Sequence, residues 1–393
     1  MTRNPYRPGV GLQPPFLAGR DQNQKDFERV LSRAPEIPGN VRMTGLRGVG
    51  KTVLLQRFAE IADEQNWATI AVELEARHCD DTAFGSLVGA KVSELETRLS
   101  RIERVKRAVS GAVHTARQAV TVSYEGFEWS AAGDLDRSTA AIADSLAAGV
   151  DASLKAGKEG LVLLFDEAQV LVDDKDASGS HALSAIVAAV STMQKEAAPI
   201  CLVLCGLPTL AVNLLGARTY TERMFQGFKI DSLKAEPARE AFTRPLRDTA
   251  ISLEPRLVDR VLTEVDGYPY FIQLWGAELW DAATSADEST LTVELLDAIE
   301  EQIYERLDLD FYDPRVESLT PAEQDLLMDT EECAYPPLAV ADLNAVSPKT
   351  SGNVNVLLGR LVKANVIYRQ RKGEYLYTAP GFRDYLSRRK QRE

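Results

Sequence analysis

The sequence predicts an α/β fold, a parallel sheet covered by helices on both faces, followed by a helical domain and a small C-terminal domain. Three observations carry this. Gly45-Leu46-Arg47-Gly48-Val49-Gly50-Lys51-Thr52 fills every required position of the phosphate-binding pattern G-x-x-x-x-G-K-[ST], between a short apolar run and a helical pattern. Five strand-like runs alternate with helical periodicity as far as Leu233. Beyond Leu233 helical patterns dominate for about a hundred residues.

Size and charge bound the possibilities. A chain of 393 residues is too long for one ordinary core, so two or three domains are expected. The balance of 45% hydrophobic and 26% charged residues is that of a globular protein. A net charge of -13 argues against a protein coated in nucleic acid and leaves a local basic surface open. No apolar run approaches the ~20 residues of a membrane span, and the first residues lack a signal-peptide core, so the expected location is the cytoplasm. Cys79, Cys201, Cys205 and Cys333 are scattered without His/Cys ligand spacing, so neither a disulfide nor zinc is expected.

Residues 1–15 carry Pro5, Pro8, Pro14 and Pro15 and read as an extended arm. Phe16 to Asp21 form a turn, and a helix runs through Phe27, Val30 and Leu31. Arg42-Met43-Thr44 ends a strand, and Leu54, Leu55, Phe58, Ile61 and Ala62 recur at helical spacing after the phosphate loop. Between them the glycines let the backbone turn its N–H groups inward at the electropositive start of a helix. The ligand-facing stretch is Gly45, Gly48, Val49, Gly50, Lys51, Thr52 and Val53, with Lys51 expected on the β- and γ-phosphates and Thr52 on Mg²⁺.

Trp67 to Leu74 reads as the second strand. Residues 84–158 exceed a normal strand-to-strand connection and read as an insertion. It holds a helix rich in Arg98, Arg101, Arg104, Lys106 and Arg107, a hairpin from Val120 to Trp129, and a helix over 138–155. The basic run reads either as a solvated helix face or as a surface for nucleic acid or an acidic partner.

Leu161 to Gln169, LVLLFDEAQ, is a buried strand with Asp166-Glu167 at its carboxyl end, the edge where parallel sheets bind ligands. Asp166 is expected to hold Mg²⁺ through water, and Glu167 to orient or activate the water that attacks the γ-phosphate. A helix over 179–195, a strand over 199–206 and a short strand from Phe228 to Ile230 complete the sheet.

Helices are expected over 238–250, 256–265, 271–283 and 291–307, punctuated by Gly267-Tyr268-Pro269, and Asp308 to Pro314 reads as a linker. Thr320-Pro321-Ala322-Glu323 opens a helix with a capping box. Two more helices, over 338–345 and 353–364, precede strands over 366–369 and 375–377, and three helices with a small hairpin make a winged helix. Glu317 to Ser347 contains no Lys or Arg, whereas Lys349, Arg360, Lys363, Arg369, Arg371, Lys372, Arg383, Arg388, Arg389 and Lys390 dominate the rest of the chain. A basic third helix, wing and tail are where duplex phosphates are met, and winged helices also dock proteins.

With these residues placed, the chain resembles the AAA+ ATPases, nearest to the bacterial origin-recognition-like type, and shares features with the STAND signalling ATPases. The resemblance covers nearly the whole chain. It implies an arm over 1–15, an ATPase domain of the P-loop NTPase class over 16–233, a helical lid over 234–307, a linker over 308–315 and a winged helix over 316–393. ATP and Mg²⁺ are the implied ligands, with hydrolysis by Glu167, Lys51 and Arg223. Phe16-Leu17-Ala18-Gly19-Arg20 is similar to the element that places Gly19 and Arg20 against the adenine. Tyr220 to Phe228 is similar to the arginine-finger segment, with Arg223 the finger and Arg218 its reserve, although Arg223 equally suits an ion pair within its own subunit. Gly267-Tyr268-Pro269 is similar to the STAND element whose proline, here Pro269, packs on the adenine. Two departures stand out: no polar sensor precedes Thr209 at the fourth strand's end, and the lid has no sensor-two arginine. The implied function is a slow ATP-hydrolysing switch controlling a winged helix on duplex DNA, or alternatively one that docks a protein partner. A finger acting in trans implies a homo-oligomer.

Overall fold

The computed structural model describes residues 3–9, 11–110, 137–174 and 181–392. It divides into two compact units, residues 20–45 with 51–230, and residues 1–19 with 46–50 and 231–393. The expected hairpin from Val120 to Trp129 lies outside the described residues.

The first unit runs α1 (Asp21–Arg33), β1 (Asn40–Gly45), α2 (Lys51–Glu64), β2 (Ala68–Glu73), α3 (Asp81–Ser110), α4 (Arg137–Lys155), β3 (Leu161–Asp166), α5 (Ala182–Lys195), β4 (Ile200–Gly206), α6 (Thr209–Ala217), α7 (Thr221–Met224) and β5 (Phe225–Ile230). The five strands form one sheet in the order β2-β3-β4-β1-β5, with every neighbouring pair parallel. Leu161 to Phe165 are all buried, as expected of a strand covered on both faces. At the start of the sheet Asn40 is buried and accepts from the Leu202 N–H at 2.8 Å, tying β1 to β4. Phe27 of α1 stacks on Phe58 of α2 at 4.2 Å. Phe84, Val88, Val92 and Leu95 of α3 join Ile142, Leu146 and Val150 of α4 in one core with β2, β3 and β4. The described part of the insertion therefore builds a helical layer of the sheet. Its Arg98 donates to the Thr69 carbonyl of the edge strand at 2.8 Å, a structural use for one of the basic residues.

In the second unit the N-terminal arm is extended and docked. Tyr6 is buried and donates to the Phe242 carbonyl at 2.6 Å, while Asn4 donates to Asp281 at 2.8 Å. The helices are α8 (Ala235–Thr243), α9 (Pro255–Val265), α10 (Pro269–Ser285) and α11 (Val293–Leu307). Two-residue strands β6 (Ser252–Leu253) and β7 (Thr290–Leu291) pair in parallel, where the sequence suggested helices alone. Runs of two residues carry no alternation to detect.

The stretch expected as a linker is helical. A π-helical turn over Asp308–Tyr312 continues from α11 and leads into α12 (Asp313–Glu317). Asp308, Phe311 and Tyr312 are buried, and the Tyr312 hydroxyl donates to the Pro380 carbonyl at 2.6 Å. Next come α13 (Pro321–Asp329), β8 (Leu338–Ala339), α14 (Val340–Val346), α15 (Ser351–Lys363), β9 (Ile367–Arg371), β10 (Glu374–Tyr377) and α16 (Phe382–Arg392). The capping box forms, with Thr320 N–H donating to Glu323 at 2.8 Å. The strands make an antiparallel sheet in the order β8-β10-β9.

The basic tail is a helix folded onto acids. Arg388 and Arg392 share Asp308, the Arg388 Nε donating at 3.0 Å and Arg392 lying at 3.2 Å. Arg389 faces Asp313 at 3.6 Å, Lys390 faces Glu332 at 2.7 Å, and Arg383 donates to the Glu331 carbonyl at 2.9 Å. A hydrogen bond from Ser387, then Lys390 and Arg383, hold the Glu331 carboxyl below its ordinary range.

Candidate functional site

The parallel register brings three strand ends to one edge of the sheet. Thr44 aligns with Gly206, and Glu73 with Asp166, so β1, β4 and β3 end side by side, with β4 between the loop strand and the acidic strand. The Thr52 hydroxyl, one residue into α2, donates to Asp166 at 2.7 Å. The other Asp166 oxygen accepts from the Glu167 N–H at 2.9 Å. Lys51 and Asp166 are both buried. A hydroxyl and a carboxylate in direct contact beside a buried ammonium are a donor set of oxygen atoms that suits Mg²⁺, with the lysine placed for phosphate charge.

Glu167 has φ 53°, a left-handed backbone uncommon outside glycine and often found at functional sites. Its carboxylate is held by a residue that sequence reasoning passed over. Gln169 is buried, donates to Glu167 at 2.5 Å, and accepts from the Leu207 N–H at 2.9 Å. Gln169 thus links the acid after β3 to the end of β4, where the expected polar sensor is missing. Gly206 leaves it room: a β-carbon there would lie 3.0 Å from the Gln169 backbone nitrogen. Cys205 is a second residue missed. Burial pushes its thiol well above the usual range, Asp166 raises it further, and Lys51 opposes the shift, so a neutral S–H lies against the acid. The only sequence signals were the AQ after Asp166-Glu167 and a cysteine one residue before a strand-terminal glycine.

The loop itself has the backbone the pattern requires, with φ 77° at Gly48 and 87° at Gly50. Leu46 to Gly50 belong to the second unit, where they meet Tyr268. The Tyr268 hydroxyl donates to the Arg47 carbonyl, and a β-carbon on Gly48 would lie 2.8 Å from Tyr268 Cζ. In Gly267-Tyr268-Pro269 it is the tyrosine that meets the loop, whereas Pro269 starts α10. Gly267, at φ 64°, accepts at its carbonyl from the Leu233 N–H at 2.7 Å. Gly19 is also left-handed and packs on α8, where a β-carbon would lie 2.8 Å from Pro237. Arg20 is buried at the start of α1. Val49 is buried in the loop, and Val53 lies half-buried in the first turn of α2.

Arg223 is not brought to this edge. It lies in α7, two residues before β5, whose first residue pairs with Asn40, and so sits at the amino edge of the sheet. The six-residue strand separates the two edges by roughly 20 Å. Arg223 is exposed and makes no ion pair among the described residues, lining a groove with Lys195 and Tyr220. The intrasubunit ion pair is therefore not observed. Arg218, the reserve, is half-buried with Nε lacking a hydrogen-bond partner.

Comparison with known proteins fits this geometry. Residues 17–203 match the family model described as AAA ATPase domain, and residues 309–386 match a domain of unknown function (DUF8462). No curated protein sequence matches significantly. Among solved structures, the Aeropyrum pernix ORC2 protein in ADPNP–ADP complexes is 15% identical with a TM-score of 0.55, covering 98% of each chain. A Walker-type ATPase of Pyrococcus abyssi is 16% identical with a TM-score of 0.53, covering 97% of this chain and 98% of its own. The Aeropyrum pernix ORC1 protein in complex with DNA is 15% identical with a TM-score of 0.50, covering 95% and 94%. Residues 17–203 thus match an AAA ATPase domain model, and the five-stranded parallel sheet has a fold like that of the Orc1-type AAA+ P-loop NTPases.

Proposed function

We propose that the protein is an ATP-binding and ATP-hydrolysing switch, and the observation that carries this is the Thr52–Asp166 contact at the carboxyl edge of the sheet. Bound Mg²⁺ would supply charge neutralisation for the phosphates, held by Thr52 and Asp166. Lys51 and the inward N–H groups of the loop bind and orient the phosphates. Glu167, held by Gln169, accepts the proton of the attacking water. Gly19, Arg20 and Pro269 are the adenine-side residues of this reading. Arg223, too far from its own site, acts in trans within a homo-oligomer. Nucleotide binding biases a conformational equilibrium by its differential affinity for the two states.

The C-terminal unit, with its helices and three-stranded antiparallel sheet, reads as a winged helix. Two outputs suit it, duplex DNA and a protein partner. The contacts of the tail favour the protein partner, because Arg388, Arg389 and Lys390 are paired with acids and Arg383 donates to the Glu331 backbone carbonyl. Lys363, Arg369 and Lys372 are exposed without an ion pair among the described residues, leaving three cations for phosphates. A salt titration of duplex binding with ATP and with ADP separates the outputs. The expected result is no salt-dependent binding in either state. Binding that weakens with a log–log salt slope of about -3, and disappears in a Lys363→Ala/Arg369→Ala/Lys372→Ala variant, would establish the DNA reading instead.

A further inference from the structure

Gly48 stands at a position that the phosphate-binding pattern leaves free, yet a side chain does not fit there. Its φ of 77° is left-handed, and a β-carbon would lie 2.8 Å from Tyr268 Cζ and 3.0 Å from Cε1. The glycine and the tyrosine are matched to each other.

Leu46 to Gly50 and Tyr268 belong to the same compact unit. Tyr268 is wholly buried, and each of its hydrogen-bonding groups is used. Its N–H donates to the Val265 carbonyl at 2.8 Å, its carbonyl accepts from the Ile272 N–H at 3.0 Å, and its hydroxyl donates to the Arg47 carbonyl. Phe271 at 4.6 Å and Phe311 at 6.4 Å meet the ring edge-on and fix the direction of the phenol. Gly267 lies so close to Leu233 that a β-carbon would collide with the Leu233 carbonyl oxygen, so the backbone carrying the tyrosine is held as well. Burial pushes the hydroxyl above the ordinary tyrosine range, so it remains a donor at neutral pH.

A phenylalanine would fill this ring position without a buried hydroxyl. The hydroxyl costs desolvation, which the bond to Arg47 offsets. What the bond adds lies on the loop. A glycine-rich stretch is conformationally free, and holding its backbone before a ligand arrives lowers the entropy lost on binding. The loop N–H groups cradle phosphates that ATP and ADP share, so a hold on the loop backbone acts on both nucleotides alike.

We propose that Tyr268 is a positioning residue for nucleotide binding, its hydroxyl holding the Arg47–Gly48 stretch of the loop in the phosphate-binding shape before the phosphates arrive. The proposal rests on the nucleotide-site reading above. Tyr268 acts through the loop backbone, so it sets affinity and leaves the choice between ATP and ADP, and the chemical step, unchanged.

The test uses the full chain and Tyr268→Phe, which keeps the buried ring and removes one oxygen. Hydrogen exchange of the Leu46 to Gly50 amides is measured without nucleotide, and affinity and turnover are measured with Mg·ATP, with affinity also for Mg·ADP. Loop exchange is expected to quicken by roughly 3- to 10-fold, the range for one hydrogen bond, and both affinities to fall together by a similar factor. The ATP-over-ADP ratio and the turnover at saturating ATP stay within about twofold of the parent. Unchanged affinities, or a loss for one nucleotide alone, overturn the proposal. Loss of the fold in Tyr268→Phe would assign the hydroxyl to stability and overturn it too. Parent protein that binds neither nucleotide would overturn the site reading itself, whereas the loop exchange reports on the hold of Tyr268 independently of that reading.

Discussion

Replacing Glu167 by Gln leaves Mg·ATP binding intact and lowers turnover by about 10³-fold, within the range for loss of a general base. The substitution is nearly isosteric, and the new side-chain carbonyl still accepts from Gln169, whose bond to Glu167 is 2.5 Å. Thr52, Asp166 and Lys51 are untouched, so the phosphates and metal keep their partners. What is lost is basicity at one oxygen. Phosphate release under saturating ATP, alongside a direct binding measurement, checks both halves. Turnover at the parent rate would remove Glu167 from the chemistry.

The second large effect concerns the fold of the C-terminal region. Asp308→Ala is expected to destabilise the protein by about 3 kcal/mol, the scale for breaking a buried ion pair from one side. Asp308 has a side chain 1% exposed, and both Arg388 and Arg392 of α16 converge on it. Truncation leaves the Arg388 guanidinium, over the Tyr304 ring at 4.7 Å, without its anion in a half-buried place. A paired Asp308→Ala/Arg388→Met variant recovers part of the loss, because it removes the stranded charge as well. Urea unfolding of the single and double variants measures this. A loss under about 1 kcal/mol for Asp308→Ala would show that the pair does not anchor α16.

What the sequence revealed and what it hid divide along the range of the interactions. The phosphate loop is a local pattern whose glycines dictate their own backbone, and Leu161 to Asp166 announce a buried strand by composition alone. Gln169 and Cys205 acquire roles only because β4 lies beside β3, which no local pattern states. The stretch from Asp308 to Pro314 reads as a linker because its acids and proline are polar on paper. In the structure Arg388 and Arg389 neutralise two of those acids, and Phe311 and Tyr312 are free to bury. The same pairing was hidden at the tail, where a basic run suggests phosphate contacts and the structure folds it onto acids up to 84 positions upstream. Arg223 was legible as a candidate finger, but its edge of the sheet is set only by strand direction.

The central claim is that Gly45 to Thr52 bind the phosphates of ATP through Lys51. Calorimetric titration of Mg·ATP into the parent chain and Lys51→Ala tests it most directly. Saturable binding by the parent and a loss of at least about 100-fold in the variant, equivalent to roughly 2.7 kcal/mol, is the predicted result. Equal binding by the two proteins would contradict it.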